Sequence, residues 1–423
     1  MTIQPTSYGH ERLITKKLNI ICGGKSMERH VLGEKTFRKT LTDISKGIYV
    51  EKWEISNENL ELGSDWHIAK RRLSGGLSDG VDVIDVHNGV SSFSLVPTRG
   101  MGIWKGTYKG TYVGWDSPIN ELVHPKFINL EAHEGLGWLD GFNEWVVRCG
   151  LRNFGSPGRD IIIDNNGNQK EITLTLHGKI ANIPASQVEA KVGLEEPYWL
   201  SVNGTVYERS MFGSNLKLDS STSTTLGSNT IRIVDEITNL RAVNDEMQIL
   251  YHCNYGPPFL MKGSKLIAPL MEVAPRDQRA VEGIKEFNVF GSPQTGFIEQ
   301  VYFLKLIGDD DGWTTAMLAN KDETQAVSIS FSLRQLPYFT LWKNTNMPEE
   351  GYVVGLEPGT SYPNPKAYER KMNRVPILKP GETYRTEIAL SVHLGKNEVH
   401  EIKEKIEKLQ GKTEPKIHLT SVR

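Results

Sequence analysis

Short runs in which apolar and polar residues alternate recur along this chain, and they constrain its fold more than any other feature. In Ala326–Leu333 four apolar side chains alternate with three serines, and Glu171–His177 places Ile172, Leu174 and Leu176 on one face. Such alternation predicts β-strands, because successive side chains of a strand point to opposite faces. Further strands are predicted at Ser92–Val96, Ile231–Val234, Gln248–His252, Thr314–Leu318, Phe339–Trp342 and Glu387–Leu394.

Glycine and proline, 40 and 20 residues, separate these runs, and helical patterns are scarce. The sequence therefore predicts an all-β protein built as a large antiparallel sandwich or barrel. Helical spacing predicts one clear helix at Asn397–Leu409, and Phe37–Ile44 is a candidate for a second, short helix. The polar segment Asp219–Ser228 is interpreted as a hairpin loop. We expect one domain over residues 1–423, with a core at about 85–395, an N-terminal extension over 1–84 and a C-terminal helix at 397–410.

Composition excludes several classes of protein. Of the 423 residues 38% are hydrophobic and 24% charged, and the net charge of -2 gives no reason to expect a nucleic-acid partner. No apolar run is long enough for a signal peptide core or a membrane span. The three cysteines, Cys22, Cys149 and Cys253, are too scattered for a disulfide framework or a thiolate zinc site. A cytoplasmic protein is the simplest expectation.

Three acid-base residues stand near the ends of predicted strands. They are His177, His252 and Glu357, which are so far apart in the chain that only a folded sheet could bring them together. Alternation puts His177 on the polar face of its strand, and it puts His252 and Asn254 on the face opposite Tyr251 and Cys253. Two chemistries fit such a trio: acid-base catalysis without a metal, or a metal centre with two histidines and a carboxylate.

Aromatic and amide side chains add a second pattern. Tryptophans are spread over the chain, and sugar sites commonly place an aromatic face under the ring with polar groups at its rim. The segment Trp138–Gly158 combines aromatic residues with many hydrogen-bonding side chains, which suits a polyhydroxylated ligand or a solvated loop. The tryptophans of this pattern are Trp104, Trp115, Trp138, Trp145, Trp199, Trp313 and Trp342.

A set of short motifs, in a shared order over roughly residues 85 to 395, resembles the aldose 1-epimerase (galactose mutarotase-like) superfamily, especially its divergent aldose 1-epimerase-like branch. The motifs are Pro97–Ile103, Gly114–Pro118, Cys149–Leu151 with Gly155–Pro157, Leu176–Asn182, Tyr251–Gly256, Glu299–Val301 and Gly355–Pro358. The resemblance implies a β-supersandwich fold, a small carbohydrate as the partner and a sugar-opening reaction that needs no redox cofactor or metal.

The resemblance also implies roles for individual residues. Glu357 matches the base that takes the proton of the anomeric hydroxyl, and His252 matches the acid that protonates the ring oxygen. His177, within Leu-His-Gly, matches the sugar-holding histidine. The remaining candidate substrate-binding residues are Arg152, Asn153, Asn254 and Trp115.

The sequence departs from well-studied mutarotases just after His252, in Cys253–Pro258, and after Glu357, in Ser361–Pro365. These departures predict a substrate other than galactose or glucose, or another isomerisation on the same scaffold. A non-catalytic carbohydrate-binding protein and a metal-dependent sugar isomerase stay open as alternatives. A sugar acid or phosphate would need a cation, which Arg148, Arg152, Lys179 or Arg276 could supply. The protein is expected to be a monomer or a homodimer.

Overall fold

The computed structural model describes residues 35–63 and 65–421, and this part of the chain is dominated by β-strands. Its strands are β1 (Thr36–Asp43), β2 (Ile48–Tyr49), β3 (Trp53–Ser56), β4 (His67–Arg72), β5 (Asp82–His87), β6 (Ser91–Val96), β7 (Gly102–Tyr108), β8 (Thr111–Val113), β9 (Val146–Leu151), β10 (Gly158–Ile163), β11 (Gln169–Leu174), β12 (Gln187–Gly193), β13 (Trp199–Arg209), β14 (Asn215–Thr225), β15 (Thr230–Asn239), β16 (Asp245–Glu246), β17 (Gln248–Tyr255), β18 (Lys265–Ile267), β19 (Leu270–Pro275), β20 (Gln300–Leu306), β21 (Trp313–Ala319), β22 (Gln325–Ser332), β23 (Tyr338–Thr345), β24 (Tyr352–Gly359), β25 (Ile377–Leu378), β26 (Thr383–Leu394) and β27 (Lys416–Ile417).

Two large sheets hold most of these strands. The first has ten strands in the order β18-β21-β22-β26-β15-β14-β13-β12-β1-β2, and the second has thirteen, in the order β27-β19-β20-β23-β24-β17-β9-β7-β6-β5-β4-β3 with β8 paired to β7. Pairing is antiparallel except between β19 and β27. The pairs β10–β11 and β16–β25 form separate two-stranded sheets. The predicted all-β fold is confirmed.

The main core lies between the two large sheets. Ile233 and Ile329 of the ten-stranded sheet belong to one buried apolar cluster together with Ile249, Val354 and Leu356 of the thirteen-stranded sheet. Alternation explains this layer, because every second residue of a strand points to the same side and these apolar sets meet face to face.

Helices are short apart from the last one. They are α1 (Asn57–Leu60), α2 (Ala132–Gly135), α3 (Gln278–Glu282), α4 (Lys366–Lys371) and α5 (Lys396–Gln410). Single turns of 3-10 helix occur at Ile44–Lys46, Gly76–Ser78, Pro97–Arg99, Pro125–Phe127, Gly137–Gly141, Ile180–Asn182, Ile284–Glu286 and Pro348–Glu350. The helix α5 lies where helical spacing predicts it. It packs Val399 and Ile406 on Met317 and Ala319 of the ten-stranded sheet.

Two local predictions were wrong. Phe37–Ile44 is the strand β1 with the start of a 3-10 turn, because β1 pairs with β12 and an i, i+4 spacing of Phe37 and Leu41 also marks one face of a strand. Most of Asp219–Ser228 belongs to β14 and not to a loop. The buried Thr224 of this segment donates its hydroxyl to the carbonyl of Thr230 at 2.9 Å.

None of the helices in the described ranges has both the length and the apolar character needed to cross a bilayer. Cys22 lies outside the described residues, and Cys149 and Cys253 are buried free thiols.

Candidate active site

Three neighbouring strands at the centre of the thirteen-stranded sheet, β9, β17 and β24, carry the candidate site. Tyr251 and Cys253 point into the core between the sheets, so His252 points to the opposite, outer face. On β24, Leu356 pairs with Cys253 and belongs to the same core, which places Glu357 on the outer face beside His252. The facing predicted for β17 is confirmed, although His252 and Glu357 lie within strands that continue beyond them.

His252 and Glu357 form a close buried pair. Nε2 of His252 lies 3.2 Å from Oε1 of Glu357, and the two side chains are 6% and 3% exposed. The geometry of this contact is not that of a hydrogen bond. Oε1 of Glu357 has no hydrogen-bond partner among the described residues. Gly355 makes room for the pair: a Cβ there would come within 2.5 Å of Oε1 of Glu357 and 3.0 Å of Cε1 of His252.

Asn254 fixes the orientation of the His252 ring. Its Oδ1 lies 2.6 Å from Nδ1 of His252, while its Nδ2 donates to the carbonyl of Glu144 at 2.9 Å. Because the amide nitrogen faces a carbonyl, the oxygen faces the ring, and Nδ1 is the protonated nitrogen. The other nitrogen, Nε2, is left to exchange a proton with Glu357 or a ligand. Asn254 is fully buried, and its amide is engaged within the protein.

Burial pushes the pKa values of the pair in opposite directions. It lowers the pKa of His252 to about 4, against the effect of the hydrogen bond to Asn254. It raises the pKa of Glu357 well above its usual range, and the charge of Glu299 raises it further while Arg276 opposes the rise. A protonated Glu357 with a neutral His252 holds the same number of protons as an ionised Glu357 with a charged His252. Transfer of one proton from Glu357 to Nε2 of His252 therefore gives a carboxylate that can act as a base and an imidazolium that can act as an acid.

His177 reaches the site from a turn and not from a strand, which corrects the sequence interpretation. The strand β11 ends at Leu174, and His177 has a left-handed φ of 56°. Its backbone N–H donates to Gly155 and its carbonyl accepts from Gly150, so contacts with distant segments bend the chain here. Gly178 permits this, because a Cβ would come within 2.1 Å of the carbonyl oxygen of Asn153.

Aromatic rings cover the trio. The ring of Trp138 lies 4.7 Å from that of His177, and the rings of Phe142 and Trp342 lie edge-on to His252 at 5.1 Å and 5.3 Å. The rings of His177 and His252 are 5.6 Å apart. The structure thus brings all three predicted acid-base residues together beneath an aromatic wall.

This face of the sheet also holds buried polar atoms that lack partners among the described residues. They are Nδ1 of His177, Nε1 of Trp138, Oε1 of Glu357 and Oγ1 of Thr340. Thr340 on β23 lies opposite Glu357 on β24 in the strand register. Unpaired buried polar atoms are costly and uncommon in native proteins. A ligand with several hydroxyl groups could satisfy such a mixed set of donors and acceptors.

The other predicted residues serve the frame of the site. Trp115 donates from Nε1 to the carbonyl of Glu144 and packs on Phe142 with ring centres 5.0 Å apart. Asn153 donates to the carbonyl of Thr175 and so supports the turn that carries His177. The side chain of Arg152 is half-buried and lies near Glu208 and Lys366. Burial raises the pKa of Glu208, against the charge of Arg152, and burial lowers the pKa of Lys366 in the same direction as that charge.

The four candidate cations differ in position. Arg148 lies on the inner face in a buried ion pair with Asp235, so it is not available to a ligand. Arg276 approaches Glu357, but it is paired with Asp277 and Glu299 at 2.7 Å and 2.9 Å. Lys179 is exposed beside the His177 turn.

Three hydrogen-bonding side chains of Trp138–Gly158 bind other parts of the protein and serve neither a polyhydroxylated ligand nor a solvated loop. Asn143 donates to the backbone carbonyls of Ile119 and Glu121, and Arg148 and Glu144 are in buried ion pairs. They hold the segment in place, and its rings Trp138 and Phe142 face the site.

Sequence reasoning assigned no role to Glu299 or Phe142. Oε2 of Glu299 accepts a hydrogen bond of 2.7 Å from Nε1 of Trp342 and thereby orients a ring of the site wall. No local pattern links residues 43 positions apart, and only the motif that contains Glu299 could have marked it. Within the described ranges, no group of three or more His, Cys, Asp or Glu side chains is arranged to hold a metal ion.

Two packed antiparallel sheets of this kind form the galactose mutarotase-like β-sandwich fold. Residues 78–392 match the model of the family described as "Domain of unknown function (DUF4432)", and the chain belongs to that family. Among curated proteins, none matches this chain.

Solved structures share the fold of this chain. A structure from Klebsiella pneumoniae described as a "putative aldose 1-epimerase" is 34% identical, covers 92% of this chain and 100% of its own, and has a TM-score of 0.87. A galactose mutarotase-like protein from Clostridium acetobutylicum shares the fold at 15% identity, with 81% and 99% coverage and a TM-score of 0.52. A galactose mutarotase related enzyme from Lactobacillus acidophilus does so at 11% identity, with 75% and 99% coverage and a TM-score of 0.50.

Proposed function

We propose that this protein is a sugar epimerase that interconverts the anomers of an aldose or aldose derivative by acid-base ring opening without a metal. The observation that carries the proposal is the buried pair of His252 and Glu357, with 3.2 Å between Nε2 and Oε1 and with pKa values displaced in opposite directions. Groups displaced in this way are typical of acid-base sites. The similarity to a Klebsiella protein described as a "putative aldose 1-epimerase" supports the same class of reaction.

The reaction needs two proton transfers. Glu357, ionised after its proton has passed to His252, takes the proton of the anomeric hydroxyl while Nε2–H of His252 protonates the ring oxygen. The bond between the anomeric carbon and the ring oxygen breaks, and a carbonyl forms at that carbon. Rotation about the adjacent carbon–carbon bond and the reverse transfers give the other anomer. Each positioned group can contribute roughly 10²–10⁴-fold to the rate.

The surrounding groups suit the ligand. His177 and Trp138 offer unpaired polar atoms to hydroxyl groups, and Trp138, Phe142 and Trp342 offer apolar faces to the ring. The side chains of His252 and Glu357 are 6% and 3% exposed, so the pair is largely shielded from water. The cytoplasmic location and the monomer or homodimer state stay predictions.

Exchange between anomers measured by NMR or polarimetry over a panel of aldoses tests the proposal. The parent protein should accelerate exchange for at least one sugar, and Glu357→Gln should lose roughly 10²–10⁴-fold of that rate. Glu349→Gln is the matched control, because Glu349 is an exposed residue at a 3-10 turn. Parent-like exchange by Glu357→Gln would show that the assigned base is wrong.

Two further outcomes separate the alternatives. Saturable binding in calorimetry without faster exchange for any bound sugar would indicate a carbohydrate-binding protein. Activity that disappears on chelation and returns with a metal would indicate the metal-dependent isomerase, whereas activity in a metal-free sample would remove that alternative.

A further inference from the structure

Arg99 is a fully enclosed arginine that the proposed reaction does not use. It is 1% exposed, and its guanidinium donates to Oε1 of Glu144 at 2.5 Å and to the carbonyls of Gly141 and Val123 at 2.9 Å and 3.1 Å. A fourth bond, of 3.0 Å, reaches Oδ1 of Asn182. One planar group thus joins separate segments, which is a role that the rigid fork of arginine suits better than lysine does.

The first segment leads to His252. The carboxylate of Glu144 binds Arg99, and the carbonyl of the same residue accepts Nδ2 of Asn254 at 2.9 Å. Oδ1 of Asn254 in turn faces Nδ1 of His252 at 2.6 Å. The position of Glu144 therefore fixes which ring nitrogen of His252 carries the proton. The same carbonyl accepts Nε1 of Trp115, so it is held from two sides.

The second segment carries part of the aromatic wall. The bond from Arg99 to the carbonyl of Gly141 holds the residue that precedes Phe142, whose ring lies 5.1 Å from that of His252. The guanidinium packs so closely that a Cβ at Gly141 would come within 2.8 Å of its Nη1. Movement of Arg99 would therefore shift the wall above the His252–Glu357 pair.

The third segment follows His177. Asn182 ends the 3-10 turn Ile180–Asn182, which begins three residues after His177. The residue after Arg99, Gly100, presses against this turn: its N–H donates to Ile183, and a Cβ there would come within 2.2 Å of the carbonyl oxygen of Ile180. A backbone contact independent of the guanidinium thus also ties the Arg99 turn to the His177 turn.

From these contacts we infer that Arg99 is a positioning residue of this site, which sets the tautomer of His252 through Glu144 and Asn254 and fixes Phe142 and the His177 turn around it. The inference rests on the proposed function for its effect on turnover. Its effect on His252 does not depend on any activity.

Arg99→Lys is the first test, because lysine keeps the charge but cannot reach four acceptors at once. In ligand-free protein labelled with ¹⁵N-histidine, the His252 ring of the parent should show the Nδ1–H tautomer, and the variant should show a mixture of tautomers. In the exchange assay, kcat should fall by roughly 10–100-fold, more than KM changes, since small displacements of catalytic groups act on the chemical step. A parent without exchange activity would overturn the proposed function and leave the NMR test of Arg99 intact.

Arg148→Lys is the matched control, because Arg148 is likewise 1% exposed and bonded to a buried carboxylate but lies on the inner face. It should lose stability and keep the His252 tautomer. The double variant Arg99→Met with Glu144→Met removes both charges, a replacement that is often neutral for stability, and it should show the same mixed tautomer as Arg99→Lys. The inference is overturned if folded Arg99 variants keep the parent tautomer and kcat. It is equally overturned if no Arg99 variant folds, because Arg99 then determines stability and not position.

Discussion

The two faces of β9, β17 and β24 treat buried polar groups in opposite ways. On the inner face, Asp235 accepts bonds of 2.6 Å and 3.0 Å from Arg148 and of 2.7 Å from Tyr251. On the outer face, Glu357 and His177 each keep a buried polar atom without a partner in the described chain. The satisfied network on the inner face joins the two sheets and contributes to stability, whereas the unpaired atoms on the outer face are costly for stability and available to a ligand.

Replacing His252, the proposed acid on the outer face, should have the largest effect on anomer exchange. His252→Gln should lower anomer exchange by roughly 10²–10⁴-fold, while the free energy of unfolding changes by less than about 2 kcal/mol. The matched control is His393→Gln, because His393 is also buried and bonded to Ser328 at 2.8 Å but packs far from the pair, by α5. Equal losses of exchange in both variants would break the comparison.

Breaking the inner network should affect stability instead. Asp235→Asn leaves the guanidinium of Arg148 buried without a charged partner, which should lower the free energy of unfolding by about 3–5 kcal/mol. Asp219→Asn should change it by under about 1 kcal/mol, because the Asp219–Lys217 pair is 38% and 29% exposed. Urea denaturation measures both, and a parent-like Asp235→Asn would contradict the structural role of this face.

The pH dependence of stability sharpens the comparison further. The pKa of His252 is about 4 in the folded protein and near 6.5 when unfolded, so the unfolded chain binds the proton first as the pH falls. Stability should therefore decrease from pH 6.5 to pH 4, and His252 should account for at most about 3 kcal/mol of the decrease. His252→Gln should show a shallower decrease in urea titrations over this window. Parallel curves for parent and variant would argue against a neutral buried His252.

A single methyl group should test the spacing of the pair. In Gly355→Ala the new Cβ would come within 2.5 Å of Oε1 of Glu357, so the side chains must separate, and exchange should fall by roughly 10–100-fold. Gly291→Ala is the control, since a Cβ there meets nothing within 4 Å. Unchanged exchange in Gly355→Ala would show that the 3.2 Å gap is not needed.

Alternation alone was enough to predict strands such as β15, β22 and β26 and to separate the two faces at β17. The same rule failed at His177, since nothing in Leu174–His177 reveals that Gly150 and Gly155 bind its backbone and end the strand early. It also failed for β14, where a run of serine and threonine has the composition of a loop but pairs along its length.

Local sequence patterns also could not predict which residues are joined by hydrogen bonds between distant parts of the chain. Asn254 was predicted from its facing, but its partner Glu144 lies 110 positions away. Their places near predicted strand ends marked His252 and Glu357 as candidates, and the family resemblance supplied their roles, because one histidine and one glutamate among many have no distinguishing local signature. The aromatic wall was predicted only as a tendency, and the structure selects Trp138, Phe142 and Trp342.

The origin of the aromatic wall has a consequence for how such a protein can diversify. Trp138 and Phe142 come from the segment around a 3-10 turn before β9, while the His–Glu pair sits on strands whose other face joins the sheets. Changes of the side chains Trp138 and Phe142 would reshape the site without replacing His252 or Glu357, but the backbone of the segment is bonded to Arg99 and Asn254. Replacement of side chains in this segment is therefore compatible with an intact His–Glu pair, whereas an insertion or deletion there would disturb the pair through Glu144 and Asn254.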